Sequence, residues 1–181
     1  MCWPRSTSGW PGAGLSSRQV RLTPGDSEGV AYVALGSNLG DRAGSIGAAL
    51  EMLSQTPGVA AVRASALLEN PAVGLPPGSP PFLNGVAEVR TALGARALLE
   101  RLLEIERSLG RERTRKWGSR PIDLDLLLFG GGVIDEPDLK LPHPRMHERR
   151  FVLEPLAELA PGAVHPTLGK PIAALLAELR S

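Results

Sequence analysis

Residues 121–131, PIDLDLLLFGG, decide the fold of this chain because they combine an apolar strand pattern with two acidic side chains. The stretch is rich in aliphatic residues and ends in glycines, which is typical of a strand buried in a sheet. Residues i and i+2 of a strand point to the same face, so Asp123 and Asp125 should stand side by side while Leu124 faces the other way. The stretch therefore predicts a strand with one apolar face and one face that carries paired carboxylates.

Three strands and two helices are predicted upstream of this strand. The strand patterns lie at VAYVALG (30–36), VAAVRASALLE (59–69) and FLNGVAEVRT (82–91). Apolar residues at helical spacing follow the first strand, over residues 46–53, and the third strand, over residues 98–109. The order βαββαβ predicts an α+β fold, a ferredoxin-like antiparallel sheet with both helices on one face and the opposite face free. The C-terminal region predicts two additional helices.

The composition fits one globular domain. The chain has 181 residues, of which 43% are hydrophobic and 22% are charged, as in an average globular protein. Residues 1–28 are rich in Gly, Ser and Pro and show no periodicity, so they predict a flexible N-terminal extension. The folded domain is therefore expected over residues 29–181.

Cysteine content and hydropathy predict the compartment. Cys2 is the only cysteine, so an internal disulfide framework and a cysteine-based zinc site are both excluded. No apolar run approaches the roughly 20 residues of a membrane-spanning helix, and the N-terminus lacks the apolar stretch of a secretory signal. We therefore expect a cytoplasmic protein without a membrane partner. Because no exposed apolar repeat is visible, we expect a monomer.

A basic loop lies between Arg107 and Arg120, although the whole chain has a net charge of only +1. The segment holds six basic residues and one acid, Glu112, so its local charge is +5 and the rest of the chain sums to −4. Such focused charge favours an anionic ligand bound at one place. The loop leads directly into the aspartate strand, and a polyanion with Mg²⁺ lying between the two would explain that proximity.

The aspartate pair has two interpretations. Adjacent carboxylates repel each other unless a cation lies between them, and hard oxygen ligands of this kind suit Mg²⁺ completed by water and phosphate oxygens. The alternative is a pair of aspartates on the solvent face of the sheet, ion-paired to nearby arginines. The pattern alone leaves both interpretations open.

Five motifs, in order, resemble the 6-hydroxymethyl-7,8-dihydropterin pyrophosphokinase family of folate biosynthesis. They are YVALGSNLGDR (32–42), NPAVG with PPFLNGVAEV (70–74, 80–89), LLEIERSLGRER (102–113), RKWGSRPIDLDLLLFG (115–130) and LPHPRMHERRFVLEPL (141–156). The resemblance extends from about residue 30 to the C-terminus and identifies residues 29–181 as a pterin pyrophosphokinase domain. It implies a ferredoxin-like α+β monomer that transfers the pyrophosphoryl group of ATP to 6-hydroxymethyl-7,8-dihydropterin and releases AMP.

The resemblance also implies roles for individual residues. Two Mg²⁺ ions are expected on Asp123 and Asp125, and these aspartates with Arg111 and Arg120 form the expected catalytic group. The expected ATP-binding residues are Arg111, Arg113, Trp117, Arg120, Lys140 and His143. The expected pterin-binding residues are Asn38, Asn70, Val73, Phe82, Asn84 and Phe151. Lys140 stands where relatives can carry a small hydroxyl residue, and Asn70 where threonine is frequent.

Several of these side chains have a purely structural alternative. Phe82 and Phe151 could pack in the core instead of enclosing a flat heterocycle, although Asn84 shares a strand face with Phe82 and a buried amide needs partners. Trp117 could be an apolar anchor of its loop. Glu106 lies on an inward-facing helical stripe near the basic loop, where it could orient an arginine or contact the nucleotide.

Two other functions fit part of the pattern. An RNA recognition motif shares the βαββαβ order, but it requires stacking aromatics on its central strands, where this chain has acids and aliphatics. No nucleic-acid partner is therefore expected. A different Mg²⁺-dependent nucleotidyl or phosphoryl transferase would share the aspartates and ATP but would lack the group Phe82, Asn84 and Phe151.

Overall fold

The structure of the protein is a computed structural model that describes residues 29–71, 78–111 and 120–179. The strands of its main sheet are β1 (Gly29–Ser37), β2 (Val59–Ala64), β3 (Leu68–Asn70), β4 (Phe82–Thr91) and β5 (Asp123–Phe129). The order is β2-β4-β1-β5, all pairs are antiparallel, and β3 also pairs with β4. The predicted mixture of helices with an antiparallel sheet is confirmed.

In the part of the chain that the structure describes, four α-helices accompany the sheet. They are α1 (Arg42–Ser54), α2 (Ala95–Ser108), α3 (Arg150–Leu159) and α4 (Ile172–Glu178). A hairpin of β6 (Ile134–Asp135) and β7 (Lys140–Leu141) and a 3-10 helix (Met146–Glu148) lie between β5 and α3. The two predicted C-terminal helices are therefore confirmed. In the described part of the chain, no helix is both long enough and apolar enough to cross a membrane.

The predicted strand over residues 59–69 is wrong in its continuity, because the chain divides there into β2 and β3. Ser65 N donates to Val86 O at 2.9 Å, and Ser65 Oγ accepts from Val86 N at 3.0 Å. A side-chain oxygen thus replaces the backbone acceptor of a regular ladder and interrupts the pairing. After the break, β3 places Asn70 opposite Phe82 of β4.

Apolar side chains cover both faces of the sheet. The first core lies between the sheet and helices α1 and α2, and it includes the fully buried Val33 and Ile46. The second core lies on the opposite face, where Leu153 of α3 packs with Val86 of β4. The expectation that the second face is free is therefore wrong. Its side chains are largely apolar, and α3 and α4 remove them from water.

A β-bulge separates the acidic end of β5 from its apolar end. Tyr32 of β1 pairs with Leu128, whereas the next residue, Val33, pairs with Leu126. Leu127 is the extra residue, and such an insertion reverses the alternation of side chains. Leu126 stays in the first core, while Leu127 and Leu128 both join the second. The face that carries the two aspartates therefore continues as an apolar surface under α3.

Candidate active site

Asp123, Gly36 and Asn84 form one row across three neighbouring strands. Gly36 of β1 pairs with Asp123 of β5 on one side and with Asn84 of β4 on the other, so the side chains share a face. A Cβ atom on Gly36 would lie 3.2 Å from Asn84 Nδ2, 3.6 Å from Asp123 Cβ and 3.8 Å from Phe82 Cδ1. The glycine leaves a depression lined by a carboxylate, an amide and an aromatic ring.

Two arginines converge on Asp123. Arg111 Nη1 lies 2.6 Å from Asp123 Oδ1, and Arg120 Nη1 donates to Asp123 Oδ2 at 2.9 Å. Ion pairing with arginines, one of the two interpretations of the aspartates, is thus present at Asp123. The same guanidinium groups are suited to bidentate contact with phosphate oxygens.

Asp125 lies on the same face and interacts with two other acids. Burial, together with the charges of Asp123 and Glu106, raises the pKa of Asp125 to about 6, although Arg149 and Arg111 act in the opposite direction. A divalent cation would relieve this crowding of negative charge, so the carboxylate pair fits Mg²⁺. The described residues include no group of three or more His, Cys, Asp or Glu arranged to hold a metal. Two carboxylates suit Mg²⁺, which takes its other ligands from phosphates and water.

Arg149, which was not among the predicted site residues, acts on this site through its charge. It precedes α3, and its guanidinium carbon lies 5.8 Å from the centre of the Phe151 ring, within cation–π range. The charge of Arg149 lowers the pKa values of both Asp125 and His143. A signal was present in the sequence, because Arg149 stands two residues before the predicted pterin residue Phe151.

Three predicted pterin residues meet at the end of β3 and β4. Asn84 is 9% exposed, and its Oδ1 accepts from Asn70 Nδ2 at 3.3 Å. Asn70 in turn pairs with Phe82 across the strands. Within the described residues, Phe82 belongs to neither core, whereas Phe151 packs at the edge of the second core. Core packing is therefore observed for Phe151 and not for Phe82.

Asn38 links the two loop regions that flank the site. Its backbone N–H donates to Arg120 O at 3.1 Å, and its Oδ1 accepts from Arg120 N at 2.7 Å. Its Nδ2 donates to Pro80 O at 3.4 Å. These contacts place Arg120 so that its side chain reaches Asp123. The role of Asn38 in pterin binding stays a prediction.

His143 is attached to the outer edge of β5. Its backbone N–H donates to Leu127 O at 2.9 Å, and its Nδ1 accepts from Arg145 N at 3.2 Å. Burial and the charge of Arg149 lower the pKa of His143, which favours a neutral ring at physiological pH. Because Nδ1 accepts a hydrogen bond, the proton of the neutral ring lies on Nε2. This N–H can donate a hydrogen bond to a phosphate oxygen.

The ammonium of Lys140 pairs with Asp135 across the β6–β7 hairpin. Lys140 and His143 line one cavity of about 360 Å³. The remaining predicted site residues, Val73, Arg113 and Trp117, lie outside the described residues, and their roles stay predictions.

Comparison with known protein families matches residues 32–161 to the family model described as 7,8-dihydro-6-hydroxymethylpterin-pyrophosphokinase (HPPK). The chain belongs to the HPPK family. The resemblance inferred from the five motifs is thus confirmed. Every described site residue, from Asn38 to Phe151, lies inside the range that matches the HPPK family.

Curated relatives agree with this assignment to HPPK, and solved structures share the fold. The 2-amino-4-hydroxy-6-hydroxymethyldihydropteridine pyrophosphokinase of Pseudomonas aeruginosa is 47% identical over 130 residues, which cover 72% of this chain and 80% of the relative. The enzyme of the same name from Methylorubrum extorquens is 45% identical over 134 residues, covering 74% and 84%. A Plasmodium falciparum HPPK-DHPS triple mutant has a TM-score of 0.67 at 17% identity. The match covers 89% of this chain and 46% of the solved chain, and it shows that the two share a fold.

Proposed function

We propose that this HPPK-family chain transfers the pyrophosphoryl group of ATP to 6-hydroxymethyl-7,8-dihydropterin, giving the pterin diphosphate and AMP in folate biosynthesis. The row Asp123, Gly36 and Asn84 is the observation that carries this proposal. On one side of Gly36, which has no side chain, lies the carboxylate of Asp123 with its two arginines. On the other side lies the Asn84 amide beside an aromatic ring. A phosphate chain suits the first side and a flat heterocycle the second.

The proposed reaction is a displacement at the β-phosphorus of ATP. The hydroxymethyl oxygen of the pterin forms a bond to this phosphorus, and the bond from the β-phosphorus to the oxygen bridging to the α-phosphorus breaks. AMP leaves with that bridging oxygen, and the hydroxyl proton passes to solvent. Asp123 and Asp125 would hold two Mg²⁺ ions, which supply neutralisation of the triphosphate and polarisation of the attacked phosphorus.

The basic side chains bind phosphate oxygens in this proposal. Arg111 and Arg120 each lie within hydrogen-bond distance of Asp123, so an oxyanion that arrives there meets two planar donors. His143 contributes the Nε2–H of a neutral ring. By resemblance, Arg113, Trp117 and Lys140 complete the ATP-binding set.

The pterin is held on the Asn84 side of Gly36. Asn70 fixes the orientation of the Asn84 amide, and Asn84 Nδ2 faces the space above Gly36, where it can donate to a ring heteroatom. Phe82 and Phe151 are assigned to the two faces of the bicycle. Asn38 and Val73 complete the pocket by resemblance.

We also infer a ferredoxin-like topology. The antiparallel order β2-β4-β1-β5, together with α1 and α2 on a common face, supports this arrangement. The separation of β3 from β2 is then a local variation at the sheet edge.

An assay of the full chain with ATP, Mg²⁺ and 6-hydroxymethyl-7,8-dihydropterin tests the function. We expect AMP to form only when the pterin is present. Release of ADP would instead indicate phosphoryl transfer, and lack of turnover would contradict the proposal. Asp125→Ala should abolish AMP formation, and circular dichroism should show that the variant is folded.

A further inference from the structure

Glu106, in the last turn of α2, is a carboxylate almost completely removed from water. Its exposed fraction is 1%, and burial of a charge is strongly unfavourable unless the charge is paired and hydrogen-bonded. Glu106 Oε1 accepts from the backbone N–H of Leu124 at 2.7 Å and also pairs with the guanidinium of Arg111. One buried carboxylate therefore connects a helix, the residue between the two aspartates and an arginine of the proposed phosphate site.

The contact with Leu124 fixes the backbone between the aspartates. β5 is an edge strand of the main sheet, so the outer N–H of Leu124 has no neighbouring strand to bond. Glu106 supplies the acceptor that such a strand would otherwise provide. Because the aspartates directly precede and follow Leu124, this hydrogen bond helps to determine the direction in which both point.

The contact with Arg111 places one guanidinium between two acids. Arg111 Nη1 contacts Glu106 Oε1 and lies 2.6 Å from Asp123 Oδ1. The Arg111 side chain is 13% exposed, so water screens these charges weakly. When Asp123 binds a cation, Glu106 still holds the guanidinium close by. Without Glu106, Arg111 would keep only Asp123 of these two acidic partners.

Glu106 also acts on Asp125 through its charge, which helps to raise the pKa of that aspartate. Among the described residues, three acids and three bases interact at this site, and these groups are Glu106, Asp123, Asp125, Arg111, Arg120 and Arg149. Neutralising Glu106 would remove one negative charge from the site and leave Asp123 as the charged partner of Arg111. Both changes oppose the binding of a divalent cation at Asp123.

We infer that Glu106 is a positioning residue that anchors Arg111 beside Asp123. Because Glu106 shares the charge of Arg111, Asp123 can bind Mg²⁺ while the guanidinium stays in place to bind nucleotide phosphate. This inference rests on the proposed function and deepens it, because it assigns the control of magnesium affinity to a residue that touches neither metal nor substrate.

The test compares two glutamates of the same helix. Glu106→Gln removes the charge but keeps an oxygen for the Leu124 N–H. Glu104→Gln is the matched control, since Glu104 has a half-exposed side chain that pairs with Arg101. Calorimetry measures the binding of a nonhydrolysable ATP analogue to the full chain at increasing Mg²⁺ concentrations. We expect the half-saturating Mg²⁺ concentration to rise about tenfold or more in Glu106→Gln and to stay at the wild-type value in Glu104→Gln.

A purely structural glutamate would give a different result. If Glu106→Gln lowers only the melting temperature and leaves the Mg²⁺ dependence at the wild-type value, the inference is overturned. If that variant does not fold, Glu106→Asp decides, because it keeps the charge but shortens its reach. A raised half-saturating Mg²⁺ concentration in Glu106→Asp supports the inference, and an unchanged one overturns it. Absence of any Mg²⁺ dependence in the wild-type chain would instead refute the metal site of the proposed function, and the inference with it.

Discussion

Asp123 and Asn84 share one face of the sheet, two strands apart, with only the backbone of Gly36 between them. This arrangement places the groups suited to phosphate beside those suited to a heterocycle without any intervening side chain. The distance between the two halves of the site is therefore set by the spacing of neighbouring strands, which is one of the least variable dimensions in a protein.

Gly36→Ala is expected to raise the KM for the pterin about tenfold. The added Cβ would lie 3.2 Å from Asn84 Nδ2 and would have to displace that amide. Steady-state measurement of AMP formation at varied pterin concentration checks the prediction. Gly94→Ala is the control, because a Cβ there meets no atom within 4 Å. An unchanged KM in Gly36→Ala would mean that the pterin binds elsewhere.

Asp125→Asn is expected to raise the melting temperature of the metal-free protein at about pH 8. The pKa of Asp125 is raised from 3.8 to about 6 in the folded state, so folding favours its protonated form. The resulting stabilisation is complete below pH 3.8 and is lost as the pH rises through about 6. The amide of Asp125→Asn does not ionise, so the stability of this variant does not fall over that pH range.

Thermal unfolding with a chelator at about pH 4 and pH 8 measures this effect. The difference between Asp125→Asn and the wild type should be larger at the higher pH, and added Mg²⁺ should stabilise only the wild type. Asp135→Asn changes an aspartate whose side chain is 81% exposed and serves as the control. An equal difference at both pH values would argue against the assigned cause.

Asn38→Ala is expected to lower the free energy of unfolding by about 1–3 kcal/mol and to raise the KM for ATP. The variant leaves the N–H of Arg120 without its side-chain acceptor, and the Arg120 guanidinium loses its fixed position beside Asp123. Urea unfolding and steady-state kinetics measure the two effects. Asn38→Asp keeps an acceptor for Arg120 and should recover part of the affinity for ATP. An Asn38→Ala protein with wild-type kinetics would contradict the positioning role.

The protein is expected to lose stability as the pH falls below about 6.5, because His165 is buried. Burial and the neighbouring ring of His147, 5.7 Å away between centroids, lower the pKa of His165 from 6.5. A lowered pKa means that the unfolded chain takes up the proton first, so stability is complete above pH 6.5 and declines below it.

His165→Asn tests this assignment, since the Asn oxygen can replace the Nδ1 that accepts from Leu168 N but does not protonate. Urea unfolding between about pH 5 and pH 7 should show a weaker pH dependence for the variant than for the wild type. Equal slopes would mean that another group causes the loss.

The sequence predicted the elements of the site better than their connections. Alternation along residues 121–131 correctly placed Asp123 and Asp125 on one face, because that pattern is a local property of a strand. The depression at Gly36 depends on which strands are neighbours and in what register, and no single segment encodes this. The contact between Glu106 and Leu124 likewise joins a helix to an edge strand that is distant in the sequence.

Two features of the fold were missed for specific physical reasons. The division of residues 59–69 results from one hydroxyl, that of Ser65, replacing a backbone acceptor, while the residues around it keep a strand pattern. The coverage of the second face follows from the bulge at Leu127, which turns two consecutive leucines toward α3. A strict alternation of side chains cannot reveal an inserted residue.

The outer edge of β5 has a consequence for self-association. An exposed edge strand can pair with a β-strand of another molecule, and such pairing commonly leads to fibrous aggregates. Glu106 occupies the outward amide of Leu124, and the backbone of His143 occupies the outward carbonyl of Leu127. These two contacts at the proposed phosphate site thus also block the addition of another strand, and we expect variants that weaken them to lose solubility as well as activity.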